Sequence, residues 1–449
     1  MIKWHLVSPT ATIPSAAFCF VVLTATAADW PVTNAAAIAA AAQQAAPGDT
    51  ITLADGVWTD QRIVFRGQGS AHRPITLRAQ TPGRVILNGT SQLRLAGEHL
   101  VVEGLWFQNP TGAEDVIEFR THSAVPATNC LLRTCAITAA SAGPRAENRW
   151  VSLYGVSNRV EQCYFAGKTN RGTTLVVWVD TNRPNHHVIA HNHFGPRPRL
   201  GLNGGETIRV GSSTESMFNS RTLVTGNLFD RCNGEVEIVS NKSCENEYRA
   251  NTFIACEGAL TLRHGNRCRV EGNFFLGRGH PLTGGIRIIG EDHVVTRNHL
   301  DGLRGHDARS ALTLMNGVAR SKLNGYFRVQ RAEVSFNTVI DCTHPLVIGL
   351  ADGGGKLAPI DCVIASNVVK GTRPPLVRLA TAPVNLRWEA NRMFGAKVGV
   401  ESPGIVTQDV PGRRGSDGVW RPVAGDTMRA SPVQMSQAGP GWLAPAARQ

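Results

Sequence analysis

One short phrase recurs along the chain and limits the folds that the chain can adopt. Its copies, such as HVIAHNHF, TLVTGNLF, CRVEGNFF and HVVTRNHL, combine apolar residues with an asparagine at a fixed place. No helical periodicity lies between them. Short β-rich units at such spacings are typical of a parallel β-helix whose loops vary in length. The asparagines would stack at one corner, where a tight left-handed bend is tolerated. They are Asn192, Asn227, Asn251, Asn273, Asn298, Asn337, Asn367 and Asn391.

The two ends of the repeat differ from its middle. The Ala-rich segment 34–46, with Asn34 as a possible N-cap and Pro47-Gly48 as a stop, predicts a short helix that covers the open end of the solenoid. After about Lys397 the repeat fades into Gly/Pro-rich sequence. We therefore predict an all-β chain with one parallel β-helix domain over residues 28–400. A partly disordered C-terminal extension, residues 401–449, follows it.

Residues 1–27 have the pattern of a secretory signal. Lys3 precedes an apolar segment that includes Phe18 and Leu23, and Ala25-Thr26-Ala27 is a small-residue cleavage site. No later stretch approaches 18 uninterrupted apolar residues, so we predict no membrane span. The expected location is secreted or periplasmic.

The charge balance indicates an anionic partner. The chain has 46 Lys and Arg against 34 Asp and Glu, a formal net charge of +12. A positive cleft concentrates an anionic partner and speeds encounter. Zinc-finger spacing, an RNP-like motif and dense Lys/Arg tracts are all absent from the sequence, so we predict no nucleic-acid partner. An acidic polysaccharide fits export better, although a basic chain could also serve solubility alone.

Ten cysteines occur in the sequence, one of them inside the predicted signal. The pairs Cys232/Cys256 and Cys244/Cys268 have equal offsets, which place them at equivalent points of the repeat. An exported protein could form disulfides. Small buried filler is the preferred interpretation of such equivalent positions. There is no CxxC zinc pattern.

The stretch from Asn203 to His264 contains most of the acidic and basic residues that are candidates for a catalytic role. In the run NGEVEIVSNKS, strand alternation places Glu235 and Glu237 on one face. The neighbouring runs place Thr207 and Arg209, and then Thr261 and Arg263, at matching positions. Because stacked strands lie about 4.8 Å apart, acids and bases from successive runs would converge on one patch.

This patch has the ligand chemistry of a hard-cation site. Asn203, Glu235 and Glu237 offer only oxygen ligands, the set that Ca²⁺ prefers. A Glu-x-Glu pair alone is weak support, because exposed strands often carry such pairs as solvated charge. Lys242, just beyond the strand, and Arg263, one coil on, add basic groups beside the carboxylates. A metal flanked by two bases is a plausible arrangement for chemistry next to a substrate carboxylate.

The motifs NGGETIRVG, NGEVEIVSNKS, LTLRHGN, GNFFLGRG and GGIRIIGEDH together resemble polysaccharide lyase family 6, which contains chondroitinase B and many alginate lyases. The resemblance covers residues 45–395 in character and 200–305 in its strong motifs. It implies a right-handed parallel β-helix and cleavage of uronate-containing chains by β-elimination. Larger family members add a second β-helix domain, for which this sequence is too short, so exo and endo action both stay open.

Position by position, the resemblance implies a role for each polar residue of the patch. It makes Lys242 the general base and Arg263 the residue on the acid side. It places Arg209, His264 and Arg287 in the substrate cleft, and it makes Asn203, Glu235 and Glu237 the calcium ligands. The chemistry agrees with these types, because removal of the uronate C5 proton leaves charge that Ca²⁺ can neutralise as a Lewis acid. Arginines suit bidentate binding of further carboxylates.

Several functional alternatives stay open at this level. Alginate is the preferred polymer because it is the commoner substrate among sequences with these motifs, and dermatan sulfate is the alternative. A β-helix glycoside hydrolase could recruit Glu235 and Glu237 as paired acids, but the adjacent bases argue against it. A non-catalytic exported carbohydrate-binding solenoid is the other rival. We expect a monomer.

Overall fold

The chain winds through successive coils, each of which adds one strand to each of three long sheets. The computed structural model describes residues 1–3, 26–140, 143, 145–180, 183–352, 354–423, 430–444 and 448. The predicted signal, residues 1–27, lies outside the described residues except at its two ends. Along a coil the chain enters the first, the second and then the third sheet. Each sheet has 14 strands.

The three sheets comprise short strands with the following bounds. The first sheet contains Asp29–Val32, Thr50–Leu53, Ile75–Ala79, Leu100–Glu103, Leu131–Arg133, Arg159–Glu161, Val188–Ala190, Leu223–Thr225, Glu247–Arg249, Arg269–Glu271, Val294–Thr296, Glu333–Ser335, Val363–Ala365 and Arg387–Glu389. The second sheet contains Gly56–Thr59, Val85–Gly89, Leu105–Pro110, Ala136–Thr138, Tyr164–Ala166, His193–Phe194, Leu228–Asp230, Thr252–Ile254, Phe274–Leu276, His299–Asp301, Thr338–Ile340, Val368–Lys370, Asn391–Phe394 and Ile405–Val406. The third sheet contains Arg62–Gln68, Gln92–Glu98, Ile117–Glu118, Arg120–His122, Val125–Thr128, Val151–Leu153, Leu175–Val177, Ile208–Gly211, Glu237–Lys242, Ala259–His264, Ile286–Ile288, Leu312–Met315, Leu346–Leu350 and Val377–Leu379.

Nearly all neighbouring strands in the three sheets pair in parallel. The exception among the named strands of these sheets is the antiparallel pair Arg120–His122 and Val125–Thr128. Parallel pairing between successive coils is the pattern that the asparagine repeat predicts, and the predicted parallel β-helix is confirmed. The coils stack their apolar side chains into one continuous core.

The eight repeated asparagines form a ladder at the corner between the first and second sheets. The Oδ1 atom of Asn273 accepts the backbone N–H of Asn251 at 2.9 Å and its Nδ2–H at 3.0 Å. Its own Nδ2 donates to the Tyr248 carbonyl at 2.9 Å. We predicted the left-handed bend at the asparagine itself, and this was wrong. The bend falls on the residue before the asparagine, such as Ala250 with φ 50° and Arg297 with φ 55°. The asparagine side chain thereby stays inside the corner, where it satisfies buried backbone groups.

Aromatic and sulfur-containing side chains fill the interior at equivalent points of successive coils. Stacked rings with centroids 4.4 to 5.4 Å apart run along the second sheet. They are Phe165, Phe194, Phe229, Phe253 and Phe275. The nine cysteines within the described residues are buried and free, so they act as the small filler that equal offsets indicated.

The α-helix α1 (Ala35–Gln44) covers the N-terminal end of the solenoid. Asn34 caps it by accepting the N–H of Ala37 on Oδ1 at 2.8 Å. Ile38 and Ala41 are buried where the helix packs on the strand Arg62–Gln68. The predicted capping helix is confirmed. Within the described residues, no helix is long and apolar enough to cross a membrane.

The chain beyond the last coil folds back along the outer face of the second sheet. Its described residues include a hairpin, Gly412–Arg414 with Trp420–Pro422, and the 3₁₀ turn Met435–Gln437. Another 3₁₀ turn, Asp307–Arg309, lies earlier, between strands of the second and third sheets. Val419 packs on Phe274, and the Trp442 Nε1–H donates to the Thr134 carbonyl at 2.7 Å. Partial disorder of residues 401–449 stays a prediction, but residues 430–444 make ordered contacts.

Candidate active site

The polar patch lies on the outer face of the third sheet, and its strand register differs from the one we predicted. Arg209 aligns with Ser240, and Ser240 aligns with Thr261, so Arg209 and Arg263 are not at matching positions. The register shifts between Glu237 and Val239, where the strand is irregular. Ile238 and Val239 are consequently both buried. Strict alternation therefore fails where the acidic residues occur.

Three glutamates, Glu206, Glu235 and Glu237, come close together at this irregularity. Glu235 precedes the strand, and its Oε2 accepts the N–H groups of Gly204 at 2.7 Å and Gly205 at 2.9 Å. Glu237 begins the strand and accepts the Ser240 hydroxyl at 2.5 Å. Burial, and then the negative charge of Glu206, raise the pKa of Glu235 to about 7. The site thus concentrates more negative charge than its hydrogen bonds neutralise.

Lys242 lies at the end of the same strand, beside Glu206. Its Nζ is 3.8 Å from Glu206 Oε1, and the two side chains are 17% and 3% exposed. Across the ladder Lys242 pairs with His264. Burial, and then the positive charges of Arg263 and Lys242, lower the pKa of His264 to about 3. His264 is therefore neutral at ordinary pH and acts as a polar group without charge.

Arg263 and Arg287 both approach Glu237 and share one aromatic neighbour. The Nε of Arg263 lies 3.3 Å from Glu237 Oε1, and Nη1 of Arg287 lies 3.6 Å from the same oxygen. The Tyr326 ring lies 4.2 Å from the Arg263 guanidinium carbon, and its hydroxyl accepts from Arg287 Nη2 at 2.7 Å. Asp352 also accepts from Arg287, at 3.1 Å. Arg287, expected in the cleft, is only 3% exposed because these groups cover it.

The remaining predicted residues lie at the two sides of this cluster. Arg209 is mostly buried, and its guanidinium lies 5.0 Å from the centre of the Trp178 ring. Asn203 is exposed and lines a cavity together with Glu235. The structure therefore brings Glu235, Glu237, Lys242 and Arg263 into one region, with Asn203 and Arg209 on its borders.

The donor chemistry of this region fits a hard cation. Asn203, Glu235 and Glu237 present oxygen atoms, and Oε2 of buried Glu206 accepts no hydrogen bond from the described residues. Within the part of the chain that the structure describes, no group of three or more His, Cys, Asp or Glu side chains is arranged to hold a metal ion. A cation here would therefore need asparagine, water or substrate oxygens to complete its shell.

Sequence reasoning missed three residues of the cluster: Glu206, Tyr326 and Asp352. Glu206 was detectable, because it lies inside the NGGETIRVG motif beside Thr207. Tyr326 and Asp352 belong to segments that follow strands of the third sheet. The interval from Met315 to Glu333 is long for this chain, and that length is the one signal of a segment that reaches back over the sheet.

Comparison with known proteins identifies a family. The family model described as chondroitinase B matches residues 32–387. No curated protein matches the chain significantly.

Solved structures give the same result. AlyGC, described as a family 6 alginate lyase, is 39% identical with a TM-score of 0.89, and the match covers 92% of this chain and 58% of that one. A mannuronic acid specific family 6 lyase from human gut microbiota is 30% identical with a TM-score of 0.75, covering 86% and 92% of the two chains. The family 6 lyase Pedsa3628 from Pseudopedobacter saltans, at 24% identity and a TM-score of 0.73 over 92% and 99%, shows the shared fold. This chain thus spans 58% of the length of AlyGC.

Proposed function

The chain belongs to the chondroitinase B family, polysaccharide lyase family 6, and we propose that it cleaves alginate by β-elimination. The observation that carries the proposal is that Lys242 and Arg263 each lie beside a carboxylate of the glutamate cluster, Lys242 beside Glu206 and Arg263 beside Glu237. Elimination needs a base for the C5 proton and a donor for the departing oxygen, both close to a group that neutralises the uronate carboxylate. The same face of the third sheet carries side chains of the types that these three tasks require, which supports the proposal.

Lys242 and Arg263 have different tasks in the elimination. The amine of Lys242 takes the C5 proton, the C4–O4 bond breaks, and a C4–C5 double bond forms. Arg263 keeps its proton and donates a hydrogen bond that stabilises the negative charge on the departing O4 oxygen, which then takes its proton from the Lys242 ammonium or from water. Glu237, 3.3 Å from the Arg263 Nε, and the Tyr326 ring orient that guanidinium. Neutral His264 beside Lys242 can orient a sugar hydroxyl without adding charge.

Calcium held by Asn203, Glu235 and Glu237 would supply Lewis-acid neutralisation of the substrate carboxylate. Glu206, whose carboxylate lies beside Lys242, keeps the amine of Lys242 in place. Arg209 and Arg287 supply positive charge toward the polymer, and Arg287 requires Tyr326 or Asp352 to move before it can bind a carboxylate directly. We further propose that the protein acts as a monomer outside the cytoplasm, where its polymeric substrate occurs.

Alginate is favoured over dermatan sulfate by the relatives of higher identity. AlyGC is described as an alginate lyase and the gut enzyme as specific for mannuronic acid. The family model carries the name of chondroitinase B, which keeps dermatan sulfate as the second candidate.

Incubation of the purified protein with alginate, dermatan sulfate and pectate tests the proposal. Elimination creates an unsaturated uronate end that absorbs in the near ultraviolet, whereas hydrolysis does not. We expect the absorbance to rise with alginate, and a calcium-supplemented reaction without protein serves as the control. A rise with dermatan sulfate alone would reassign the substrate. Binding without cleavage of any polymer would indicate a carbohydrate-binding solenoid.

A further inference from the structure

A cavity of about 420 Å³ opens beside the active site, on the loops that lead from the second sheet to the third. Its walls come from several coils and include Arg199, Asn203, Glu235, Glu257 and Arg309. Since Asn203 and Glu235 are proposed metal ligands, a sugar in this cavity would adjoin the sugar that is cleaved.

The charges that line this cavity are unequally matched. Glu257 forms an ion pair with Arg199. Glu235 accepts two backbone N–H groups and faces the glutamate cluster. Arg309 has no comparable partner among the described residues, and its buried Nε–H meets no acceptor there. One guanidinium in the cavity is therefore left without a carboxylate.

The surroundings of Arg309 add to this imbalance. Burial, and then the positive charge of Arg199, lower the pKa of Arg309, and Arg287 acts in the same direction. Glu257 opposes that effect but is already paired with Arg199. An arginine among cations in a partly dehydrated cavity gains most from an anionic ligand.

The backbone holds Arg309 in place. It ends the 3₁₀ turn Asp307–Arg309, where its N–H donates to the His306 carbonyl at 2.9 Å. Gly305 packs so closely that a Cβ atom there would lie 2.4 Å from the Arg309 carbonyl oxygen. The backbone that carries the guanidinium is therefore already ordered before a ligand binds.

We infer that Arg309 binds the carboxylate of a uronate next to the one that is cleaved, at a second subsite formed by this cavity. The inference rests on the proposed function, because a polyuronate carries a carboxylate on every sugar. A sulfate group of a sulfated polymer has related chemistry and is distinguished by the experiment.

The test measures binding of a mannuronate tetrasaccharide by calorimetry, with calcium present, in the non-cleaving Lys242→Ala protein. We expect Arg309→Met, which keeps the apolar stem, to weaken binding about 10- to 100-fold, the effect of losing a charge-assisted pair. Arg309→Lys should recover part of the loss. Arg304→Met is the matched control, because Arg304 lies on the same loop, lines another cavity and donates to the Asp341 carbonyl at 2.6 Å. Binding by this control should be unchanged.

The outcomes separate the inference from the proposed function. If the unmodified protein cleaves alginate while Arg309→Met and its parent bind the tetrasaccharide equally, the second subsite is wrong and the lyase activity stands. An equal loss in Arg304→Met would also overturn the inference, because it would show a general charge effect.

A second oligosaccharide distinguishes carboxylate from sulfate. If Arg309→Met weakens binding of a dermatan sulfate oligosaccharide but not of the mannuronate tetrasaccharide, Arg309 binds sulfate and the assignment to a carboxylate is wrong. If the unmodified protein neither binds nor cleaves a polyuronate, both proposals fail. Thermal unfolding of Arg309→Met and Arg309→Lys establishes that each variant is folded.

Discussion

Lys242 combines two roles that a suitable pair of substitutions can separate. Its ammonium lies beside the buried Glu206 carboxylate, and its amine is the proposed base. Lys242→Arg keeps a positive charge next to Glu206, but an arginine does not lose its proton in proteins. We therefore expect turnover of alginate to fall about 10²- to 10⁴-fold with little change in thermal stability.

Lys242→Ala should lose turnover to a similar extent and should also lower stability. Its truncation leaves the buried Glu206 carboxylate without its ion-pair partner, which lowers the free energy of unfolding. Lys397→Arg, at an exposed position in the last coil, is the matched control and should change neither property. Near-normal turnover by Lys242→Arg would remove Lys242 from the role of base.

Lys168 offers a prediction about pH and stability. Its side chain is buried, and Nζ donates to Asn170 Oδ1 at 2.6 Å and Asn148 Oδ1 at 3.1 Å. Burial, and then the charge of Arg197, lower the pKa of Lys168 to about 6. Between that pH and the ordinary lysine pKa near 10.5, the unfolded chain binds more protons than the folded one. The free energy of unfolding therefore rises with pH in this window, by up to about 1.4 kcal/mol per pH unit.

Replacing Lys168 with Met removes this dependence. As the pH rises from 6.5 to 9, the urea midpoint of the parent should therefore increase relative to the midpoint of Lys168→Met. Midpoints that run parallel over the whole range would show that the Lys168 amine keeps its proton on folding.

Single residues were predictable where a motif carried them and not where distant loops supplied them. The motifs predicted that Glu235, Glu237 and Lys242 lie close together, and the structure brings them into one region, while their roles stay predictions. Tyr326 and Asp352 reach the site from long segments whose return path depends on packing across several coils. The family resemblance assigned Arg287 to the cleft, and strand alternation could not correct this, because alternation indicates the face of a strand but not what covers that face.

At the scale of elements, the asparagine ladder is the part that the sequence predicted best. A side chain that recurs at one point of each coil must meet its copies when the coils stack. The position of the left-handed bend was wrong by one residue, because a variety of residues accept that conformation once the following asparagine secures the corner. The register around Glu237 was also missed, although the consecutive apolar residues Ile238 and Val239 break the alternation of the sequence at the point where the strand is irregular.

Asn273→Ala should destabilise the solenoid strongly. The substitution removes the acceptor of two Asn251 donors and the donor to the Tyr248 carbonyl, all buried. We expect the free energy of unfolding to fall by about 2–4 kcal/mol, because each buried polar group left without a partner costs about 1–3 kcal/mol. Asn324→Ala, at an exposed loop position, is the control. A urea midpoint unchanged by Asn273→Ala would mean that water replaces the ladder.

At the scale of the whole molecule, the solenoid and the catalytic face depend on different interactions. The coils are held by one continuous apolar core and by the asparagine ladder. The glutamate cluster lies outside that core, where burial, and then repulsion by Glu206 and more weakly by Glu237, raises the pKa of Glu235. Removing a cation from this face would restore that repulsion without touching the stacked coils.

Chelation should therefore stop elimination while the fold persists. We expect full loss of alginate turnover after exhaustive dialysis against a calcium chelator, an unchanged far-ultraviolet circular dichroism spectrum, and recovery when Ca²⁺ is returned. Calcium should also raise the thermal unfolding midpoint, because it binds the folded state and relieves the repulsion among the glutamates. Glu235→Gln, which keeps the shape but removes one negative charge, should weaken calcium binding in calorimetry and need more calcium for the same turnover.

Full turnover by a chelated protein that contains no calcium by elemental analysis would contradict this prediction. Under that outcome the uronate carboxylate must be neutralised by side chains alone. Arg263 would be the first group to do so, and Arg287 would follow once Tyr326 or Asp352 moves, because both guanidinium groups already lie near Oε1 of Glu237. Glu237→Gln would then release Arg263 from its ion pair, remove one of the carboxylates beside Arg287, and increase affinity for the polymer. With a calcium-dependent site the same substitution instead removes a metal ligand and lowers turnover, so the sign of its effect decides between the two mechanisms.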